Sequence, residues 1–435
     1  MACLHIHIAI ASLLVERGAD INSRIDDGRT ALHGACSRGD IAMASLLIER
    51  GADINSRGNR GQTALHLACL MGQTATASLL IERGADIHSR GFRDMTALHL
   101  ACYDGHTAAA SLLIERGVNI HCTDNDGRTA LHRVCFNGDT AIASLLIERG
   151  VNIHCRDNDG RTALLMACYS GDTAIASLLI ERGVNIHSTD NDGRAALLMA
   201  CHMGHTTIAS LLVERGADIH SRDNNGSTAL HEACFSGHTT IALQLVERGA
   251  DIHSRDNDGR TALHRVCFNG DTAIASLLIE RGADIHSRDN DGSTALRLAC
   301  YSGHTAIASL LIERGADIHS RDNDGRTALH MACFGESNNN KDAAISLIRK
   351  KADIHIKHNQ GATALDIGPE WTAELTELYE EVKNRAWLAR KAFLFVLIGD
   401  GHIGGRPAEE REQSTYEMLR DDLLRNLLVS IMSFL

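Results

Sequence analysis

A tetrapeptide sets the architecture of this chain: Thr-Ala-Leu-His, or a close variant, returns every 33 residues along most of its length. It begins at Thr30 and recurs at Thr63, Thr96, Thr129, Thr162, Thr228, Thr261, Thr294 and Thr327, with Ala195 holding the register where the threonine is lost. A last copy, at Thr363, arrives three residues late. A fixed period of this length marks stacked units, each too small to bury its own apolar face. The 435 residues then report copy number rather than domain count, because one core grows as units are added. An array of this kind is built to bind rather than to catalyse.

The stretch 124–153 represents one unit. Asp124-Asn125-Asp126-Gly127 has the chemistry of a turn, opened by aspartate and closed by glycine. Thr129 is a good N-cap and starts a first helix, with Leu131, Val134 and Cys135 at helical spacing. Asn137-Gly138 ends it. Asp139 or Thr140 caps a second helix, for which the pattern predicts a buried stripe of Ala141, Ile142, Leu145 and Leu146. Gly150 ends that helix, and Val151-Asn152-Ile153 runs extended into the next turn.

Asp-Asn-Asp-Gly-Arg-Thr-Ala-Leu-His at 256–264, Ala-Cys at 299–300, Gly-His at 303–304 and Leu-Leu-Ile-Glu-Arg-Gly-Ala-Asp-Ile at 310–318 resemble the ankyrin repeat, and the resemblance covers about residues 1–366. It implies an all-α solenoid of helix-turn-helix units with hairpin links. The family usually carries proline after the capping threonine, where this chain has alanine, an excellent helix former. Residues 124–150 and 256–282 are identical, which points to block expansion. The first unit lacks its turn and the start of its first helix, so either Met1 is an internal methionine of a longer frame or the N-terminal face is open. At the other end, Ser337 to Asn340 form an insertion between helices, and Lys351 replaces the helix-ending glycine. The expected division is an array over 1–368 and a C-terminal helical cap with an amphipathic tail helix over 369–435.

The period accounts for side chains that otherwise suggest chemistry. Cys3, Cys36, Cys69, Cys102, Cys135, Cys168, Cys201, Cys234, Cys267, Cys300 and Cys333 share one position, where the family places a small apolar residue. Neighbouring helices sit about 8–10 Å apart and a disulfide needs Cα atoms within about 7 Å, so these read as reduced core cysteines. Cys122 and Cys155 fall in the links and are expected to be more exposed. His33, His66, His99, His132, His231, His264 and His330 close the tetrapeptide, and in the family this residue bonds back toward the capping threonine. A second set, His88, His121, His154, His187, His220, His253, His286, His319 and His355, forms a ladder in the links. No metal or cofactor is expected. Gly399 to Gly404 matches a dinucleotide fingerprint but lacks room for a βαβ unit after it, and reads as a link.

The residue after the core cysteine is where the copies vary: Ser37, Leu70, Tyr103, Phe136, Tyr169, His202, Phe235, Phe268, Tyr301 and Phe334. The resemblance places the end of the first helix on a concave groove that contacts partners. Two residues before the cysteine, Arg133, Glu232 and Arg265 stand among Gly, Leu and Met. Aromatic rings flanked by such charges suit a protein interface; they also suit rings that stack to seal adjacent repeats.

A net charge of −12 argues against a nucleic-acid partner, which needs a basic surface. The apolar start fits the repeat and has no basic residue ahead of it, unlike a secretory signal. No run reaches the roughly 18 apolar residues of a membrane span. The expected location is therefore cytoplasmic, with the nucleus also open, and not secreted or membrane-bound. After Thr363 the period is lost. Trp371 to Val382 and Ala386 to Ile398 read as two helices. Leu423, Leu424, Leu427, Leu428, Ile431, Met432, Phe434 and Leu435 then make an amphipathic helix after the capping-box pattern Ser414-Thr415-Tyr416-Glu417. Asp421-Asp422-Leu423-Leu424 with Ile431 to Leu435 resembles the opening of an F-box, of the truncated kind that ends ankyrin proteins of large viruses. Every lysine lies at or after Lys341. The expectation is a non-enzymatic protein-binding scaffold. The alternatives are a substrate receptor that recruits a cullin-type ubiquitin-ligase adaptor through the tail helix, and a truncated product of repeat expansion with no specific partner.

Overall fold

Each repeat starts from its turn, and from Asp124 to Asp322 the turn opens on an aspartate. Asp124 Oδ1 accepts the backbone N–H groups of Asp126 and Arg128, each at 2.9 Å, and an isolated antiparallel bridge pairs Thr123 with Thr129. Gly127, at φ 75°, supplies the left-handed residue that closes it. The structure is a computed structural model describing residues 10, 12–335, 338–368 and 372–399, with side chains of the last stretch described to residue 388. The chain divides into two compact units, residues 1–257 and 258–435. Each is a stack of helix pairs, and no strand occurs among the described residues.

Successive turns are tied by asparagine. Asn158 donates its backbone N–H to Asp126 O and its side-chain Nδ2 to Asn125 O, both at 2.9 Å. Asn191 and Asn224 repeat this pair of bonds in the first unit, and Asn323 in the second. One side chain thus satisfies backbone groups of the preceding unit, which is how a small repeat leaves few of them orphaned.

The first helix, Ala130–Asn137, is capped by Thr129. Its histidine does more than the resemblance implies. His132 Nδ1 accepts the Thr129 backbone N–H at 3.3 Å and lies 2.9 Å from its hydroxyl, while Nε2 is 3.1 Å from Arg161 O of the next unit. A ring nitrogen that accepts an N–H carries no proton, so the proton sits on Nε2 and is donated to Arg161 O. The same arrangement ties His33, His66 and His99 to the following unit. Leu131, Val134 and Cys135 are buried as expected, and so are Ala130, His132 and Arg133.

In the second helix, Thr140–Glu148, Asp139 is the cap, accepting Ile142 N–H at 3.0 Å. The buried face is Ile142, Ala143 and Leu146; Ala141 is exposed and Leu145 half-buried, against the stripe read from the sequence. At 100° per residue, Ile142, Ala143 and Leu146 fall on one arc toward the first helix, and Ala141 lies nearly opposite its centre. Where histidine replaces the capping aspartate, the ring reaches backward instead. His106 Nε2 lies 2.9 Å from Leu70 O, and His304 Nε2 3.1 Å from Phe268 O. Gly150 ends the helix at φ 79°.

The inserted repeat keeps this logic. Its second helix runs Asn338–Arg349, and Asn340 Nδ2 donates to Cys300 O and Tyr301 O at 3.0 Å, taking the part of the backward histidine. After it, Thr372–Gly399 is a single helix rather than the two read from the sequence. Nothing between the two apolar stretches breaks a helix, and the pairs Lys383–Glu380 (3.5 Å) and Arg385–Glu381 (2.6 Å) span the join. Lys341–Glu374 (2.5 Å) and an edge-on His355–Tyr379 contact hold it to the second unit. Among the described residues no helix is long and apolar enough to cross a membrane.

Candidate protein-binding surface

The last turn of each first helix carries its side chain just beyond the buried cysteine, so a ring placed there packs on one side and meets solvent on the other. Tyr103, Phe136, Tyr169, Phe235, Phe268, Tyr301 and Phe334 are all exposed, from 41% to 62%. In the first unit Phe136 and Tyr169 stack at 6.1 Å between centroids and 20° between planes. In the second, Tyr301 and Phe334 stack at 6.3 Å and 25°. The rings therefore seal neighbouring repeats and still present apolar area to solvent.

The flanking charges are less available. Arg133 is buried: its Nε donates to Asp124 Oδ2 at 3.0 Å, its Nη2 contacts the same oxygen, and Asp126 lies 3.5 Å away. The guanidinium also covers the Tyr103 ring at 5.5 Å. It neutralises the buried turn aspartate from within the chain, so it serves the array before any partner. Glu232 occupies the same position with the opposite sign. Its Oε2 lies 2.8 Å from Nδ1 of His202, which stands where Tyr103 stands relative to Arg133. That hydrogen bond raises the His202 pKa. Asp223, the turn carboxylate of the Glu232 copy, is raised by burial, with the Glu232 charge adding to it. Arg265 is half-buried.

Arg297 was not singled out in the sequence, although it stands where other copies carry the capping histidine. It is buried, donates to Ser293 Oγ at 2.8 Å and pairs with Asp322 Oδ2 at 2.6 Å. The missing histidine was the available signal. The core cysteines from Cys36 to Cys333 are buried and unbridged. Burial pushes the thiols of Cys36, Cys69, Cys300 and Cys333 up to about 12, and those of Cys102, Cys135 and Cys168 upward too. They pack and do not react. Cys122 and Cys155 are half-buried, more open than the core cysteines, as their place in the links implies. The link histidines His88 to His355 are exposed in every copy, and among the described residues no group of three side chains is placed to hold a metal. Cys3 and the tail residues Leu423, Leu424, Leu427, Leu428, Ile431, Met432, Phe434 and Leu435 lie outside the described residues.

A concavity lies in the first unit. It has a volume of 590 Å³ and lies between the turns at 58–62 and 91–95, with Leu67, Leu70, Leu100 and Tyr103 beneath them.

A family model described as ankyrin repeats (3 copies) matches residues 1–91, 134–223, 164–256, 215–289 and 245–322. A second, described as ankyrin repeats (many copies), matches residues 98–147 and 299–348. No curated protein matches the chain.

Proposed function

Because the chain belongs to the ankyrin-repeat family, we propose that it is a protein-binding scaffold that engages its partner through the aromatic row at the ends of the first helices. The observation that carries this reading is the exposure of rings at one repeat position, four in the first unit and three in the second. Rigid aromatic side chains give large contact area at small entropic cost, which is why interfaces concentrate them. Glu232 and His202 lend the row a polar pair within the first unit, and Arg265 supplies a half-buried cation in the second. The partner is a protein. The test is affinity capture with the intact chain and with a variant carrying alanine at Tyr103, Phe136, Tyr169, Phe235, Phe268 and Tyr301. Capture is expected to be lost while helical content is kept; unchanged capture removes the row from the interface.

A ubiquitin-ligase role is the second reading, favoured by the absence of lysine before Lys341. A substrate receptor with such an array would not offer it for modification, and the Leu423–Leu435 segment would recruit the adaptor. A pull-down with residues 406–435 that recovers no cullin-ligase adaptor ends this reading.

A further inference from the structure

Two neighbouring turns open on glycine. From Asp124 to Asp322 the turns open on an aspartate, buried in Asp124, Asp157, Asp190, Asp256 and Asp289, while Ile25 and His358 hold that place in the first and last turns. At 58 and 91 glycine stands in its place. Neither glycine has a positive φ. What the glycines change is space and charge. A Cβ on Gly58 would meet Gln62 Nε2 at 3.2 Å and Arg29 Cγ at 3.5 Å, and one on Gly91 would meet the His66 ring at 3.2 Å. Beside these two turns lies the 590 Å³ cleft, within the ordinary size of a ligand site.

Its lining is apolar on one side, with Asp27, Arg29 and Arg60 as the charged residues. Leu67 and Leu100 form the floor, at the position Arg133 holds in the next copy, with Leu70, Phe92, Met95 and Tyr103 as walls. Arg60 replaces the aspartate found at 126, and its guanidinium lies 5.4 Å over the Phe92 ring. Arg29 is paired with Asp27, whereas Arg60 pairs with no carboxylate among the described residues. Gln62 Oε1, in the wall, is buried without a hydrogen-bond partner. Arg60 and Phe92 depart from the repeat and stand together on this cleft.

We propose that the cleft binds a segment of a partner protein that combines bulky aliphatic side chains with a carboxylate. The aliphatic side chain sits on Leu67 and Leu100, the carboxylate meets Arg60, and a backbone N–H meets Gln62 Oε1. Charge complementarity selects this occupant: the acidic array presents here an unpaired cation already ordered on a ring, beside two turns that have lost their aspartates. The proposal rests on the scaffold reading for the nature of the partner, but not on the rest of the aromatic row.

The test uses the full chain and a short fluorescent peptide in which leucine and glutamate alternate, against a counterpart with lysine for glutamate. In anisotropy titrations the glutamate peptide is expected to saturate, with the lysine peptide about tenfold weaker or more. Arg60→Glu, an exposed change that leaves the fold alone, should invert the preference between peptides. Equal binding of the two peptides, or an Arg60→Glu variant with the original preference, overturns the proposal. If the six-alanine variant loses partner capture while neither peptide is discriminated, the cleft fails and the scaffold reading stands. If peptides are discriminated and no partner is captured, the reverse holds.

Discussion

The capping histidine works only as a neutral ring. With Nδ1 accepting the threonine N–H and Nε2 donating to the next unit, a second proton has to enter against an existing N–H donor. Burial adds to this, depressing the His66 pKa to about 4 and lowering those of His33, His99, His132 and His330. In the unfolded chain such rings protonate near 6.5. Between those values the unfolded state holds more protons, so the stability these groups contribute is complete above about pH 6.5 and is lost as pH falls toward 4. For His66 alone the loss is on the order of 3 kcal/mol. Carboxylates held below their usual range, such as Asp86 and Asp124, lose their contribution only at lower pH. His202, raised by Glu232, acts with the opposite sign, losing its contribution as pH rises. Urea midpoints should fall steeply between pH 6.5 and 5. They should fall less in a His66→Leu variant, since Leu165 and Leu198 already fill that site in two copies. A flat profile between pH 7 and 5 would refute this account of the cap. The sequence named these histidines as structural, but the second bond, to a carbonyl 29 residues on, depends on stacking distance and had no local signal.

At the scale of the helix, most ends follow from single residues and were legible. Thr129 starts a first helix, Gly138 ends it at φ 87°, and Gly150 ends its partner. Lys351 is the informative exception. It takes a glycine's place and keeps the glycine's conformation, at φ 71°. The left-handed region costs a residue with a Cβ about 1 kcal/mol. Lys351→Gly should therefore stabilise the last repeat by roughly 0.5–1 kcal/mol, read as slower amide exchange in the Asn338–Arg349 helix. Unchanged or faster exchange there would mean that the lysine side chain contributes more than the strain removes. Other features of the elements were not legible, for a common reason. The face of the second helix is chosen by its partner helix, so Ala141 reads as core and lies outside it. Arg133 reads as a surface charge because the buried carboxylate that draws it inward, Asp124, belongs to a turn nine residues away. The cleft joins residues from turns and first helices of neighbouring copies, a juxtaposition that depends on stacking and has no local signal.

For the whole molecule, the period makes a sharper claim than any single contact: one complete unit should be removable. Deleting residues 124–156 joins Thr123 to Asp157, a Thr-Asp step that the chain already contains at 189–190. His99, which now bonds Arg128 O, would meet Arg161 O in its place. Tyr169 would come beside Tyr103 where Phe136 stood, so the aromatic row keeps its register. Stability in a stack is close to a sum of unit and neighbour terms. At 0.05–0.15 kcal/mol per residue, the lost unit amounts to about 2–5 kcal/mol, and the urea m-value should drop with the surface no longer buried. Removing 124–139 instead deletes a turn and a first helix but keeps the second, which puts a second helix where the next turn belongs. That chain should show disproportionate loss of helical circular dichroism, because the phase error exposes the apolar face of a helix on each side of the cut. If both deletions unfold alike, the copies are not interchangeable, and the likeness between 124–150 and 256–282 records ancestry more than it does mechanics. If only the half-unit deletion unfolds, neighbour interfaces built from nearly identical residues carry the stability, and the variable positions, the ring row and the cleft at 58–103 among them, are free to serve a partner.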